Sequence, residues 1–144
     1  MNPILLQRLS YKLKRIPFLA KTITYIIRLI FGCYFPYHIK LGDKFVLGYG
    51  GIGVVIHKNT IFGDDVHIDQ NVTIGGTTKK KEVPQFGDHI YVGAGAVILG
   101  PIKIGNNVVI GANSVVVKDV PSGSLVVGVP AKIIKSGIKK YNYV

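Results

Sequence analysis

The sequence predicts an all-β chain: a parallel β-helix of hexapeptide repeats preceded by a short α-helical segment. Three observations predict it. From Phe86 to Pro121 the chain reads in blocks of six that open on Phe86, Val92, Ile98, Ile104, Ile110 and Val116. The fifth position of each block is small or β-branched: Ile90, Ala96, Ile102, Val108, Ser114 and Val120. Four of the six blocks carry Gly second. A helix of 3.6 residues per turn offers no single buried face to a six-residue period. A short strand, a sharp turn and another short strand do fit it. Three such blocks close one triangular coil, and successive coils stack in parallel.

Composition agrees with that reading. A chain of 144 residues suits one domain, and 48% hydrophobic against 17% charged residues supplies a core. Eighteen Gly suit a fold made largely of turns. The single Cys33 excludes an internal disulfide and reads as a small core hydrophobe. No secretory cleavage pattern follows the N-terminus, so a cytoplasmic protein is expected. The formal charge of +11 calls for an anionic partner: nucleic acid, acidic lipid or a phosphorylated cofactor. Nucleic acid is the weakest of these, because neither an aromatic–basic RNA signature nor zinc-finger spacing is present.

Residues 1–34 lie outside the repeat. Leu5, Leu6, Leu9 and Leu13 suit the inner face of a helix, with Arg8, Lys12 and Arg15 towards solvent. Pro17 should end or kink that helix, and a second should run from Phe18 to about Phe31. Lys21 and Arg28 interrupt the second apolar run, which is too short and too charged to span a membrane. These helices are expected to cover the open first coil and its strand edge. A basic amphipathic surface resting on an anionic membrane is the other reading.

Residues 35–135 carry the repeat. Phe35, Leu41 and Leu47 open the first hexads, and GYGGIGVV (48–55) stretches one block to nine residues before Ile56 resumes the period. KKEVPQ (80–85) interrupts it again and delays the next opener to Phe86. With that loop removed, Ile56, Ile74, Ile98 and Val116 should share one face. Phe62, Phe86 and Ile104 should share the second, and Ile68, Val92 and Ile110 the third. About four and a half coils at ~4.8 Å spacing give a prism roughly 20 Å tall. Pro130 is expected to end strand pairing, leaving 136–144 as a basic tail.

VTIGGT (72–77) before a loop, VGAGAVILGPIKIGNNVVIGANSVV (92–116) and VVGVPAKII (126–134) resemble the hexapeptide-repeat acyltransferases, in their serine acetyltransferase-like branch. The resemblance covers about residues 35–135. It implies a left-handed β-helix, a homotrimer, and acetyl-CoA bound in clefts between neighbouring prisms. It places the thioester end at Gly75, Gly76 and Thr77, the pantetheine arm along Ala94 and Ala112, and a phosphate at Lys132. Lys79, Lys80 and Lys81 are further candidates for the phosphates, or simply solvated. The residue types suit these roles, since a slender arm passes only where side chains are small, and free backbone N–H groups can hold an oxyanion.

The sequence also departs from that branch. Its members carry an Asp-His pair where this chain has Gly48-Tyr49, and a second His before the loop proline, where Val83 precedes Pro84. These departures point away from free serine and towards a sugar hydroxyl of surface polysaccharide, the acceptor of a shorter branch that lacks the large helical N-terminal domain. Serine is the alternative.

Acetyl transfer to an alcohol needs a base, for which neutral imidazole is suited. His57 is expected to be that base: it follows the expanded segment, sits one coil below Gly75, and stands close to Tyr49. His67 is the second candidate, with Asp65 or Asp69 to orient an imidazole. His38 and His89 read as surface residues. No metal is expected, because His57, His67 and His89 fall at hexad positions two, six and four, without the five-residue pair that metal-dependent β-helix enzymes carry. A non-catalytic scaffold would have no need of the two interruptions.

Overall fold

The computed structural model describes residues 2–78 and 82–144. The chain opens with α1 (Pro3–Lys12) and α2 (Pro17–Phe31) and then winds into a triangular prism. Each helix begins on a proline, whose missing N–H is not needed there. Asn2 caps α1 by accepting the Ile4 N–H at 2.8 Å. Gly32, at φ +63°, ends α2 in the left-handed conformation and returns its N–H to the Arg28 carbonyl.

Face one of the prism carries β1 (Val46–Leu47), β3 (Val66–Ile68), β6 (Ile90–Val92), β9 (Val108–Ile110), β11 (Ser124–Gly128) and β12 (Ala131–Ser136). Face two carries β2 (Val55–Ile56), β4 (Thr73–Gly75), β7 (Val97–Leu99) and β10 (Val115–Val116). Face three pairs β5 (Gln85–Phe86) with β8 (Lys103–Ile104), extended by bridges at Ile61 and Val120. Strands of neighbouring coils pair in parallel, as the hexad demands. The registers are those expected: Ile56, Ile74, Ile98 and Val116 lie opposite one another on face two, and Ile68, Val92 and Ile110 on face one. Phe62, Phe86 and Ile104 follow one another on face three, with the two rings stacked at 4.8 Å.

Three edges separate the faces. The first edge, between faces one and two, holds Gly48–Gly53, Asp69–Asn71, and the turns at Gly93–Gly95 and Gly111–Asn113. The second, between faces two and three, holds His57, Gly76 and Gly100. The third is laced by side chains that accept the N–H of the coil below: Asp64 from Asp43, Asp88 from Asp64, Asn106 from Asp88 and Ser122 from Asn106.

Three expectations are corrected. The chain is not all-β, since two helices of 10 and 15 residues precede the prism. Pro130 does not end strand pairing; it sits in the turn of an antiparallel β11–β12 hairpin, so face one is a mixed sheet and strand structure runs to Ser136. The basic tail folds back on the prism. Lys140 Nζ reaches back to the carboxylate of Asp65 at 2.7 Å and to its carbonyl at 3.0 Å.

The third correction concerns the face of α1. Leu6 and Leu13 pack partly buried against the core, as expected, but Pro3, Gln7 and Ser10 are its buried residues and Leu5 and Leu9 are exposed. Gln7 Nε2 donates to the carbonyl of Ile39 at 2.9 Å, and Arg8 donates to that of Gly42 at 2.6 Å. The open end of a β-helix presents backbone carbonyls that need donors when covered, and Gln7 and Arg8 supply them.

Candidate functional site

The predicted site residues fall into two groups on two different edges. At the second edge, His57 follows β2 and donates its backbone N–H to the Ile74 carbonyl at 2.9 Å, which sets it level with Gly75. His57, Gly76 and Thr77 line one cleft of 490 Å³ together with Lys58, Asn59 and Val83. Gly75 ends β4 opposite Leu99. The Nδ1 of His57 accepts the backbone N–H of Asn59 at 3.2 Å. A neutral imidazole with its Nδ1 lone pair so engaged carries its proton on Nε2. In this orientation His57 presents a donor to the cleft, whereas a base needs a free lone pair.

At the first edge, Ala94 and Ala112 lie one coil apart, joined by the Asn113 N–H to the Ala94 carbonyl at 2.8 Å. The coils are so close here that a Cβ on Gly93 would lie 2.7 Å from the Ala112 nitrogen, so this glycine is required by packing alone. Ala112 is exposed and Ala94 half-buried, which leaves a small-residue track along the edge. Below it the Gly95 N–H joins the Gln70 carbonyl at 3.0 Å, so the track leads down to the Asp69–Asn71 turn. Gly75–Thr77 and the two alanines, expected along one coenzyme path, are separated within a chain by the whole of face two.

Beside the Asp69 turn stands a cluster that sequence reasoning found only in part. His67 Nε2 lies 3.1 Å from Asp69 Oδ1, and the Tyr91 hydroxyl donates a short hydrogen bond to Asp69 Oδ2. His67 and Tyr91 are cross-strand partners whose rings meet edge to face at 5.3 Å. The carboxylate can only accept, so His67 carries its proton on Nε2 and keeps Nδ1 free. The hydrogen bond to Asp69, burial, and the Asp69 charge push the Tyr91 phenol up to about 12. Tyr91 was not anticipated, although a signal was there: it occupies the sixth position of its hexad, as His67 does in the coil below.

Tyr49 flanks this cluster rather than His57. It is 79% exposed, at φ +52°, in the expanded segment that forms the first edge of the lowest coil. Lys132 lies exposed in β12, opposite Val127. Lys79, Lys80 and Lys81 lie outside the described residues. His38 is exposed and stacked on Tyr37; partial desolvation, then the charges of Lys58 and Lys21, lower its pKa. His89, at the third edge, is held by Asp65 at 2.9 Å. Burial pushes the Cys33 thiol up to about 11, so it is no nucleophile at neutral pH. Among the described residues no three His, Cys, Asp or Glu gather closely enough to hold a metal ion.

Known proteins share both the repeat and the architecture. Residues 84–118 match the family described as bacterial transferase hexapeptide (six repeats). The chain is 42% identical over 129 residues to a serine acetyltransferase of Synechococcus elongatus, covering 88% of this chain and 52% of that protein. It is 41% identical over 137 residues to that of Helicobacter pylori, covering 92% and 80%. The chain thus spans about half the length of the first of these relatives. The crystal structure of Neisseria gonorrhoeae serine acetyltransferase superposes with a TM-score of 0.88 at 35% identity, over 95% of this chain and 54% of that one. The Brucella abortus enzyme in complex with coenzyme A gives 0.86 at 33% identity, over 92% and 54%. The prism is therefore a left-handed β-helix, and the chain belongs to the hexapeptide-repeat transferases, within the serine acetyltransferase family.

Proposed function

We propose that the protein is an acetyl-CoA-dependent O-acetyltransferase working at a site assembled from two edges of neighbouring copies. The observation that carries this is the track of Ala94 and Ala112 on the first edge, running down to a histidine held by a carboxylate. The pantetheine arm follows the alanines and delivers the thioester beside His67. The second edge of another copy, with His57, Gly76 and Thr77, closes over the acyl group. Buried Gln70 Oε1, in the Asp69–Asn71 turn, has no hydrogen-bond partner among the described residues and would accept one from such an arrival. A homotrimer, with three such junctions, is the expected assembly.

His67, rather than His57, takes the acceptor proton. Its Nδ1 accepts the hydroxyl hydrogen as that oxygen attacks the thioester carbonyl. Asp69 steadies the imidazolium through Nε2. The tetrahedral oxyanion is met by N–H groups of the Gly76 turn and by the Nε2–H of His57. As the C–S bond breaks, the imidazolium returns the proton to the departing sulfur. Lys132 is the candidate for a coenzyme phosphate.

Serine is the acceptor this reading takes, because the relatives named above are serine acetyltransferases. The sugar acceptor expected from Gly48-Tyr49 gives way. Loss of the Asp-His pair does not itself call for another acceptor, because Asp69 and His67 supply a carboxylate and an imidazole one coil further on.

Complementation tests the arrangement. His67→Ala and His57→Ala should each lower turnover, His67→Ala by roughly 10²–10⁴-fold, with coenzyme affinity kept. Mixed trimers of the two inactive chains should regain activity, since some junctions then carry both intact edges. Sedimentation should give about three times the 15.7 kDa chain mass. A fully active monomer, or mixed trimers as inactive as their parents, would sink the composite site. Transfer to a sugar but not to serine would overturn the acceptor alone.

A further inference from the structure

The helix α2 has two apolar faces, of which the prism uses one. Wound at about 100° per residue, Ala20, Ile23, Thr24 and Ile27 fall together on the buried side. Phe18, Tyr25, Ile26 and Leu29 fall on the opposite side, Leu19 and Ile30 lie at its margin beside Ile23, and all six are exposed, Phe18 at 82% and Leu29 at 85%. Bulky apolar side chains exposed along three turns of one helix are not an ordinary solvent face. Lys21 and Arg28, seven residues apart, line one margin of this arc, and Lys14 and Arg15 precede the helix.

The charge around the arc is of one sign. Seven Lys and Arg and not a single Asp or Glu stand before Asp43, so this segment carries +7 of the chain's +11. Arg8 is spent on the Gly42 carbonyl, and the other basic side chains of the two helices point outward. Among the described residues no helix is long and apolar enough to cross a membrane. An exposed apolar arc, a basic margin and insufficient length describe a helix that lies in a bilayer surface with its apolar side among the acyl chains.

We propose that the outer face of α2 docks the protein on an anionic lipid bilayer. Phe18, Leu29 and Ile30 enter the acyl boundary, and Lys21 and Arg28 lie at the level of the phosphates. The inner face stays on the prism throughout, so docking requires no unfolding of the helix. This surface is independent of the acetyl-transfer site and of the reading given to it.

Co-sedimentation with vesicles tests the surface. The full chain should pellet with phosphatidylcholine vesicles containing phosphatidylglycerol and stay in solution with phosphatidylcholine alone, and salt should release it. Phe18→Glu with Leu29→Glu should reduce the bound fraction at least tenfold with unchanged melting, since neither side chain is buried. Lys21→Glu with Arg28→Glu should weaken binding and its salt dependence together. Failure of the unaltered protein to pellet with anionic vesicles at low salt would overturn the proposal. So would undiminished binding of the Phe18 and Leu29 variant. A third outcome also overturns it: that variant separates a larger lipid-free assembly into smaller ones while binding vesicles as before, which would make this face a contact between copies.

Discussion

Asp69 occupies the room that a side chain on Gly48 would need: its Oδ1 stands 2.5 Å from where a Cβ on Gly48 would lie. The two positions belong to adjacent coils, with Leu47 paired to Ile68 just before them. A glycine at 48 therefore lets the carboxylate of the next coil turn inward to His67 and Tyr91.

Gly48→Ala should push that carboxylate aside. Overpacking of this kind costs about 1–3 kcal/mol, and here part of it would appear as lost alignment of His67. Turnover should fall more than melting temperature, with coenzyme affinity unchanged. Full activity in Gly48→Ala would mean that the position of Asp69 does not matter to the reaction.

Tyr91 reports on the same carboxylate. Its phenol is pushed up to about 12, first by the hydrogen bond to Asp69. Asp69→Asn removes the charge that opposes ionisation, so the Tyr91 resonance should titrate closer to the ordinary value near 10. Magnetic resonance with labelled tyrosine would follow it. A Tyr91 titration unmoved in Asp69→Asn would deny the shared carboxylate.

Ala112→Leu tests the coenzyme track. The residue is exposed on the first edge, so a larger side chain meets solvent and leaves the fold intact. Calorimetry should show coenzyme A binding lost and melting unchanged. Undiminished affinity would place the coenzyme elsewhere.

The C-terminal tail should be tethered by charge. Burial raises the pKa of Asp65, but hydrogen bonds from Lys140 and His89 outweigh it and hold the carboxyl below its ordinary 3.8. A depressed carboxylate contributes stability that is present above the unfolded value and lost as pH falls through the folded one. Amide exchange at Ile138, whose N–H is held by the Gly123 carbonyl at 2.9 Å, should therefore stay slow at neutral pH and quicken only below 3.8. Asp65→Asn should quicken it at neutral pH. Equal protection in both proteins would show the tail to be held by the β11–β12 hairpin alone.

Much of the fold was legible because the hexad is a local property. Residues six apart sit at equivalent places on successive faces, and residues eighteen apart stack, so Ile56, Ile74, Ile98 and Val116 could be aligned once the loop before Phe86 was set aside. His57 could be placed beside Gly75 by the same arithmetic. The rest escaped for different reasons. The leucines of α1 locate its inward face only in part: Leu6 and Leu13 pack on the core, but the rim it covers also offers carbonyls, which Gln7 and Arg8 satisfy. The direction of each imidazole was equally out of reach, since it depends on Asn59 in one case and on Asp69 in the other.

The sequence by itself determined the prism, its three faces and the two interruptions, because strand and turn preferences act over six residues at a time. Only the tertiary structure decided which side chains share an edge. Asp69 meets Tyr91 across 22 residues and Lys140 meets Asp65 across 75, contacts that exist because coils stack at one strand spacing and the chain returns to the same edge. It also decided that Gly75–Thr77 and Ala94–Ala112 stand on opposite sides of face two, since a triangular coil turns a short sequence separation into a change of face.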